Sequence, residues 1–562
     1  MPCVSGHQGR SRSCSDGARL EVGQPIGGGI TMKKPAVLTM ACAVGLLVFA
    51  GSRTHDAFSV RIRLVEADSG KELAGLIQVV DGEGQSVAIE GLLARGTGLG
   101  RGLPIQNWWV LPGPRSVELP RAKYTIRAFS GLETETAQVS LDLTDSSQTE
   151  LTIPLTRFQD PSEEGWVSAN THLHLQKISR QECDRYLSEI PLSDGLDVMF
   201  LSYLERAGAD KQYVSNRYTA DDLVALTRDS GVVFANGEEH RHNFAGFGQG
   251  YGHVMLLNIK KLILPVSIGP GIMKTGNDGL PLRRGIETAR RDGATVVWCH
   301  NDWGMEAVPN WVQDNIDAHN IFDGGTHGSF KNSFYRYLNI GLKVPFSTGT
   351  DWFMYDFSRV YVKMPQGAVT AADWLGGLSA GRNYITNGPL LSFSVDNRGP
   401  GGTVALRQSG SVAVLARAAG RVDFKRIELV QNGNVVATAD SRPVGGHFEA
   451  EFRGPLPVAK PGWLALRTPP PSVKEDPELQ RPSPLNEFGK ELFSHTSAVY
   501  VTVDGKSVFD PGTARALLAE MEASQKVIVE QGEFLDDQAR ARVLDVYRDG
   551  VAALKKRMQD RR

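Results

Sequence analysis

Between residues 58 and 157 apolar and polar side chains alternate in short runs. Val60-Arg-Ile-Arg-Leu-Val65 sets the pattern, and Gly75-Leu-Ile-Gln-Val-Val80, Lys123-Tyr-Thr-Ile-Arg-Ala128 and Glu150-Leu-Thr-Ile-Pro-Leu155 repeat it. A period of two turns alternate side chains to one face, and Gly, Asp and Ser clusters split the runs. A small antiparallel β-sandwich is therefore predicted over 58–160. From about 165 to 390 the pattern changes. Apolar strands at 196–201, 232–235, 254–257 and 295–298 alternate with helical segments such as 220–228 and 285–291. Strand–helix alternation predicts an α/β domain whose chemistry sits at the carboxyl ends of its strands. Residues 391–508 return to β, with runs at 391–395, 427–430 and 497–502, and the Pro-rich stretch 469–484 reads as a loop or flap. The tail, 509–562, is amphipathic and broken at Gly532-Glu-Phe534, which predicts a helical hairpin.

Composition narrows the partners. A chain of 562 residues is too long for one core. Its 61 basic and 63 acidic residues leave a net charge of -2, which offers no electrostatic footprint for nucleic acid or an anionic membrane. Residues 1–57 read as an upstream segment and a signal peptide. Met32-Lys-Lys-Pro-Ala-Val-Leu-Thr-Met-Ala-Cys-Ala-Val-Gly-Leu-Leu-Val-Phe-Ala50 has the basic start, short apolar stretch and small-residue end of a secretory signal, so Met32 is the expected true start. Retention of that stretch as an anchor is the alternative. The expected location is periplasmic or secreted, with no stable membrane insertion once the signal is removed and a small molecule as partner; oligomeric state is open. Of five cysteines, Cys3, Cys14 and Cys42 lie upstream, while Cys183 and Cys299 lack the spacing of a disulfide framework or zinc knuckle. Cys299, in the apolar run Thr295-Val-Val-Trp-Cys299, reads as a buried thiol.

The chemistry gathers in 165–390. His172-Leu-His174 follows a predicted strand at 165–169, and residues two apart on a strand face one side, so both imidazoles can meet one ion. Alone the pair is weak. Gly237-Glu-Glu239-His240 caps another strand and offers a carboxylate able to bridge two cations. Gly252-His253 opens a strand, His300 closes one, and Thr348-Gly-Thr-Asp351 ends a further one with a carboxylate. Each has a mundane reading as turn residue, core histidine or helix cap. Together they make His172, His174, Glu239, His253, His300 and Asp351 the expected metal ligands.

The order His-x-His, Gly-x-Glu, His, His, Gly-x-Asp resembles the PHP (polymerase and histidinol phosphatase) superfamily, and within it the CehA/McbA-type metallohydrolases. The runs Tyr335-Arg-Tyr-Leu-Asn-Ile-Gly-Leu-Lys-Val-Pro-Phe-Ser-Thr-Gly-Thr-Asp351, Ser358-Arg-Val-Tyr-Val362 and Ala380-Gly-Arg-Asn-Tyr-Ile-Thr-Asn-Gly-Pro-Leu390 carry the likeness, which extends through His495-Thr-Ser-Ala-Val-Tyr500. The turn Leu119-Pro-Arg-Ala-Lys-Tyr124 looks like that of carboxypeptidase-regulatory-type β domains. The resemblance implies a distorted PHP-type (β/α) barrel flanked by the N-terminal sandwich and a C-terminal β domain with the helical tail. It also implies two divalent ions (zinc, manganese or iron). His172, His174 and Asp351 would hold one, His253 and His300 the other, and Glu239 would bridge them. Departures at Leu201-Ser-Tyr-Leu-Glu205, at 177–180 and at Trp352-Phe353 remove residues that would help hold a third ion, and Asn170 stands where aspartate is common.

The implied activity is exported, metal-dependent hydrolysis of an ester, amide or carbamate. Phosphoester hydrolysis is the alternative, kept open by Arg180, Arg206 and Arg241 near the site segments. A metal-stabilised, non-catalytic binding protein is the third reading. Proton donation to a leaving group needs a further side chain, and His240, His242 and Asp302 are expected by proximity in sequence. Arg382, Asn387 and His495 lie in the family-like runs; Arg382 is grouped with the expected catalytic residues. Trp303, Trp352 and Tyr355 are expected either to wall a pocket or to pack in the core.

Overall fold

The computed structural model describes residues 57–145, 149–206, 212–244, 247–269, 276–326, 328–365, 367–471 and 483–561. The signal-like segment, the expected start at Met32, the three upstream cysteines and most of the Pro-rich stretch lie outside these residues. Among the described residues no helix is long and apolar enough to cross a membrane.

The alternating N-terminal runs form two sheets. Ala57–Glu66 pairs antiparallel with Arg115–Pro120 and parallel with Glu150–Leu155. Gly75–Asp81 and Lys123–Phe129 lead the second sheet. Val60, Ile62, Leu64, Ile77, Val79, Ile126 and Ile153 meet in one buried cluster between them, as their period of two requires. The mixed α/β part follows. Its strands are β1 (Trp166–His174), β2 (Val198–Tyr203), β3 (Val233–Phe244), β4 (Phe247–Leu257), β5 (Thr295–Trp298), β6 (Ala318–Asn320), β7 (Phe346–Ser347) and β8 (Asp351–Trp352). β1, β2 and β3 pair in parallel. β4 runs antiparallel to both β3 and β5, and β5, β6 and β7 are parallel again. The chain leaving β7 enters β8, which pairs with β1 at Leu173↔Asp351 and His174↔Trp352. The sheet therefore curls until its pairing returns to its first strand. β2 is apolar from Val198 to Leu201 because both its faces are covered.

Helices α1 (Arg180–Ser193), α2 (Ala220–Ser230) and α3 (Arg283–Arg291) cover the outside. α1 and α2 start at capping boxes, Ser179 with Glu182 and Thr219 with Asp222, and α2 stops at Gly231 in left-handed backbone. Arg95, fully buried, bridges the N-terminal sheets to the end of α1 through Asp194. Arg359, also buried, donates to the Asp194 carbonyl at 2.8 Å.

The expected boundary near 390 does not separate the sheets. Asn383–Thr386 pairs with Ser494–Thr496, and through it Gly462–Arg467, Arg426–Gln431 and Val499–Val503 extend the large sheet. Among the described residues of this segment, Leu390–Val395, Gly410–Gly420, Arg442–Val444 and His447–Val458 form a separate sheet. Residues from His55 to Arg562 make one compact unit, because the 383–386 ladder crosses the border near 390 and buried apolar clusters join the N-terminal sheets and the helical tail to the rest. The tail is the predicted hairpin, Pro511–Gln531 and Asp537–Asp560, and it buries Leu517, Met521, Val543 and Val546 in the cluster that holds Trp311.

Candidate metal centre

β1 runs on through His174, five residues beyond the expected 165–169, so both histidines lie on a strand and not after one. His172 and His174 point to the same side, with Nε2 atoms 3.1 Å apart. Their other nitrogens face acceptors: Nδ1 of His172 lies 3.0 Å from Asp323 Oδ2, and Nδ1 of His174 lies 3.0 Å from the Ser202 carbonyl. An acceptor at Nδ1 keeps the proton there and leaves the lone pair on Nε2. Two lone pairs 3.1 Å apart repel unless a cation lies between them.

The other expected ligands converge on this point. Glu239 Oε2 is 3.1 Å from His174 Nε2 and 3.8 Å from His172 Nε2. Asp351 Oδ1 is 3.3 Å from His172 Nε2 and 3.6 Å from His174 Nε2. Donors bound to one ion at about 2.0–2.2 Å stand roughly 3.3–3.6 Å apart in tetrahedral geometry, which these separations bracket. The second carboxylate oxygen, Glu239 Oε1, faces a second set, 3.2 Å from His253 Nδ1 and 3.7 Å from His300 Nε2. His172, His174, Glu239 and Asp351 form one buried group of donors, and Glu239, His253 and His300 another. Glu239 Oε1, Asp351 Oδ1 and both ring nitrogens of His253 are buried without a hydrogen-bond partner among the described residues. Orphaned acceptors in a dry site carry a large cost that a divalent ion removes, so the residues fit the expected metal.

Local backbone explains the convergence. β4 begins at Phe247, so His253 lies inside an antiparallel strand and does not open it. It pairs with Arg241 while Glu239 pairs with Met255, which turns Glu239, Arg241 and His253 to one face. His300, Asn301, Asp302 and Asp351 all have left-handed φ between 55° and 71°. Such conformations persist only where surroundings enforce them. Asn301 is one enforcer: it donates to Thr326 Oγ1 and accepts from the Phe322 amide. Gly349 is another requirement, since a Cβ there would lie 2.6 Å from the His172 Cβ. Asn170 accepts from the His172 amide and donates to Thr350, tying β1 to this turn; it is no ligand.

The electrostatics are those of a tightly packed acid–imidazole cluster. Burial pushes the Glu239 carboxyl up, but the Arg241 guanidinium and then the three facing imidazoles hold it well below its usual range. Burial likewise opposes ionisation of Asp323, and His300 and His172 outweigh it. Burial, then Arg241, pull His253 down to about 3. Asp323 escaped the sequence analysis, although it reaches both sets. Its Oδ2 serves His172, while its Oδ1 lies 3.2 Å from His300 Nδ1 and 3.1 Å from the His300 amide. Its signal was faint, a lone acid in Ile321-Phe-Asp-Gly-Gly325. Cys299 is buried as expected, and its thiol, pushed up by burial, also lies against His172 and Asp323.

The expected proton donors lie elsewhere. His240 and His242 alternate with Glu239 on β3 and so face outward. His240 is 2.8 Å from Glu238 Oε1, and His242 is 2.6 Å from the Leu280 carbonyl. Asp302 turns away to the Tyr337 hydroxyl, at 2.8 Å, because its left-handed backbone reverses the chain. Arg382 is exposed on a cleft that it shares with Lys363 and Arg398. Asn387 and His495 are buried partners of Asp356 and Tyr335. Arg180 pairs with Asp184 and Asp222 on the outer helices. Trp352 does wall the site, its ring 5.2 Å from that of His174, and Trp303 flanks His300 at 6.3 Å. Tyr355 donates to the Phe322 carbonyl and holds the loop after β6.

No family model and no curated protein matches this chain. Among solved structures, a Parabacteroides merdae β-glucuronidase is similar at 9% identity and a TM-score of 0.15, over 76% of this chain and 60% of that one. The chain thus spans less than two thirds of that protein's length, and a likeness at this level carries nothing about fold or activity.

Proposed function

We propose that this protein is an exported, metal-dependent hydrolase built on a PHP-type barrel of the CehA/McbA kind. One observation carries the reading: a buried carboxylate, Glu239, aims its two oxygens at two separate donor sets. His172, His174 and Asp351 would hold one divalent ion with Oε2, and His253 and His300 the other with Oε1. Ions bound there supply an acidified water and polarise the carbonyl or phosphoryl oxygen under attack. The protein's own part is to aim and to exclude. Asp323 keeps the Nδ1 protons of His172 and His300 in place, so that both lone pairs project inward. Trp352 and Tyr213, with rings 5.7 Å apart, shield the His174 side from water.

The resemblance favours an ester, amide or carbamate as substrate. A phosphoester is the second reading, and Arg241 favours it, since a guanidinium inside the site suits an oxyanion. The test uses protein lacking residues 1–57. Metal analysis should find one to two equivalents of a transition metal. A panel of p-nitrophenyl esters, carbamates and phosphates should then show turnover that His172→Ala abolishes. Protein that takes up no metal after reconstitution defeats the proposal, and turnover of phosphates alone selects the second reading.

A further inference from the structure

Arg241 is a feature of the centre that a bare pair of ion sites does not need. It shares the inner face of β3 with Glu239 and lies directly across from His253. Its side chain is 13% exposed, and Nη1 is 3.3 Å from Glu239 Oε1, its ion-pair partner. Its Nε has no hydrogen-bond partner among the described residues. Oε1 is also the oxygen that faces His253 and His300. The guanidinium and an ion held by the three-donor set therefore draw on the same oxygen, whereas the four-donor set on Oε2 is spared. With both sets filled, three carboxylates (Glu239, Asp351 and Asp323) would face two divalent ions and a guanidinium. Two positive charges would stand uncompensated in a buried site, an arrangement that a protein interior resists strongly.

We infer that Arg241 couples the second divalent ion to an oxyanion of the substrate: the His253–His300 set fills tightly only when a phosphoryl-type anion binds with it. The inference rests on the metal-dependent reading above and narrows the substrate to one that brings a negative charge to the reacting group. A tetrahedral dianion cancels the excess charge, and a guanidinium beside divalent ions is suited to hold it. Linkage makes the effect reciprocal, so the second ion tightens the anion as much as the anion tightens the ion.

Manganese(II) titrations followed by the spectrum of the free ion test this without any substrate. The wild-type protein should take up one ion alone, and inorganic phosphate should tighten the second by at least about tenfold. Arg241→Gln should bind the second ion at least about tenfold more tightly without phosphate and show a phosphate effect below about threefold. Arg241→Lys keeps the charge and should leave the second site weak without phosphate, while unchanged uptake of the first ion reports an intact fold. Acetate distinguishes the source of the oxyanion: tightening by acetate as strong as by phosphate would assign a carboxylate in place of a phosphoryl group. Two ions of equal affinity in every anion, or the same coupling in Arg241→Gln, overturns the inference and leaves the functional reading standing. Protein that binds no manganese at the four-donor set overturns both.

Discussion

Replacing Asp323 by asparagine should weaken the two donor sets unequally. The carboxylate accepts from His172 with Oδ2, and from both the ring and the backbone amide of His300 with Oδ1. An amide keeps one acceptor only, and Asn320 decides where it points. Its Nδ2 lies 3.4 Å from Oδ2, so the amide oxygen of the variant settles on the His172 side and the new NH2 confronts His300. A donor facing Nδ1 moves the imidazole proton to Nε2, the atom that must ligate. The His300 amide also loses its acceptor, which costs about 1–3 kcal/mol in a buried site. Loss of such a supporting hydrogen bond lowers metal affinity by about 10–100-fold. The His253–His300 set should fall by about 100-fold, near 2.7 kcal/mol, and the His172–His174 set by about tenfold or less. Zinc titration of metal-free protein against a chromophoric chelator, with inorganic phosphate present so that both sets fill, separates the two steps. Thermal unfolding of the metal-free variant reports on folding. Equal losses, a larger loss at the His172 set, or changes below about threefold would refute the reasoning.

Three further outcomes follow from the same geometry. Gly349→Ala puts a methyl group 2.6 Å from the His172 Cβ, so it should cost about 1–3 kcal/mol in denaturant unfolding and displace the first ion, measured by metal content. His240→Ala and His242→Ala should leave metal affinity within about twofold of wild type, since both rings face away from the donors; a larger loss would return them to the site. Glu306 is buried between the start of α3 and Asn310, accepting from the Leu282 and Arg283 amides, and burial raises its carboxyl to about 7. A carboxyl raised above its unfolded value favours the folded state at low pH and loses that contribution as pH climbs from about 4.5 through 7, by at most about 3 kcal/mol. Glu306→Gln should therefore flatten the fall in unfolding free energy between about pH 5 and pH 8, and an unchanged slope would show that Glu306 is not its source.

Much was legible along the chain. Period-two runs placed the N-terminal strands to within a few residues, and the break at Gly532 placed the helical hairpin. Residue type and order named the six side chains of the two donor groups that share Glu239, because several imidazoles and carboxylates beside apolar runs stand out together, whereas Asp323 and Cys299, which group with His172, were not named as ligands. Strand parity could also have been used, since His240 and His242 differ from Glu239 by odd numbers and must face the other way. Three things had to wait for the tertiary structure. The 383–386 ladder to 494–496 merges segments that look separate, because backbone hydrogen bonds carry no residue signature. The antiparallel insertion of β4 decides that Arg241, and not a neighbour in sequence, stands opposite His253. Asp323, remote from His172 by 151 positions, becomes its partner only when β6 is laid near β1 by the curl of the sheet. Local sequence determines which side chains can bind an ion and which way each leaves its strand; the closing of the sheet determines which of them meet, because contact across a curled sheet depends on pairing order and register, which no single segment encodes.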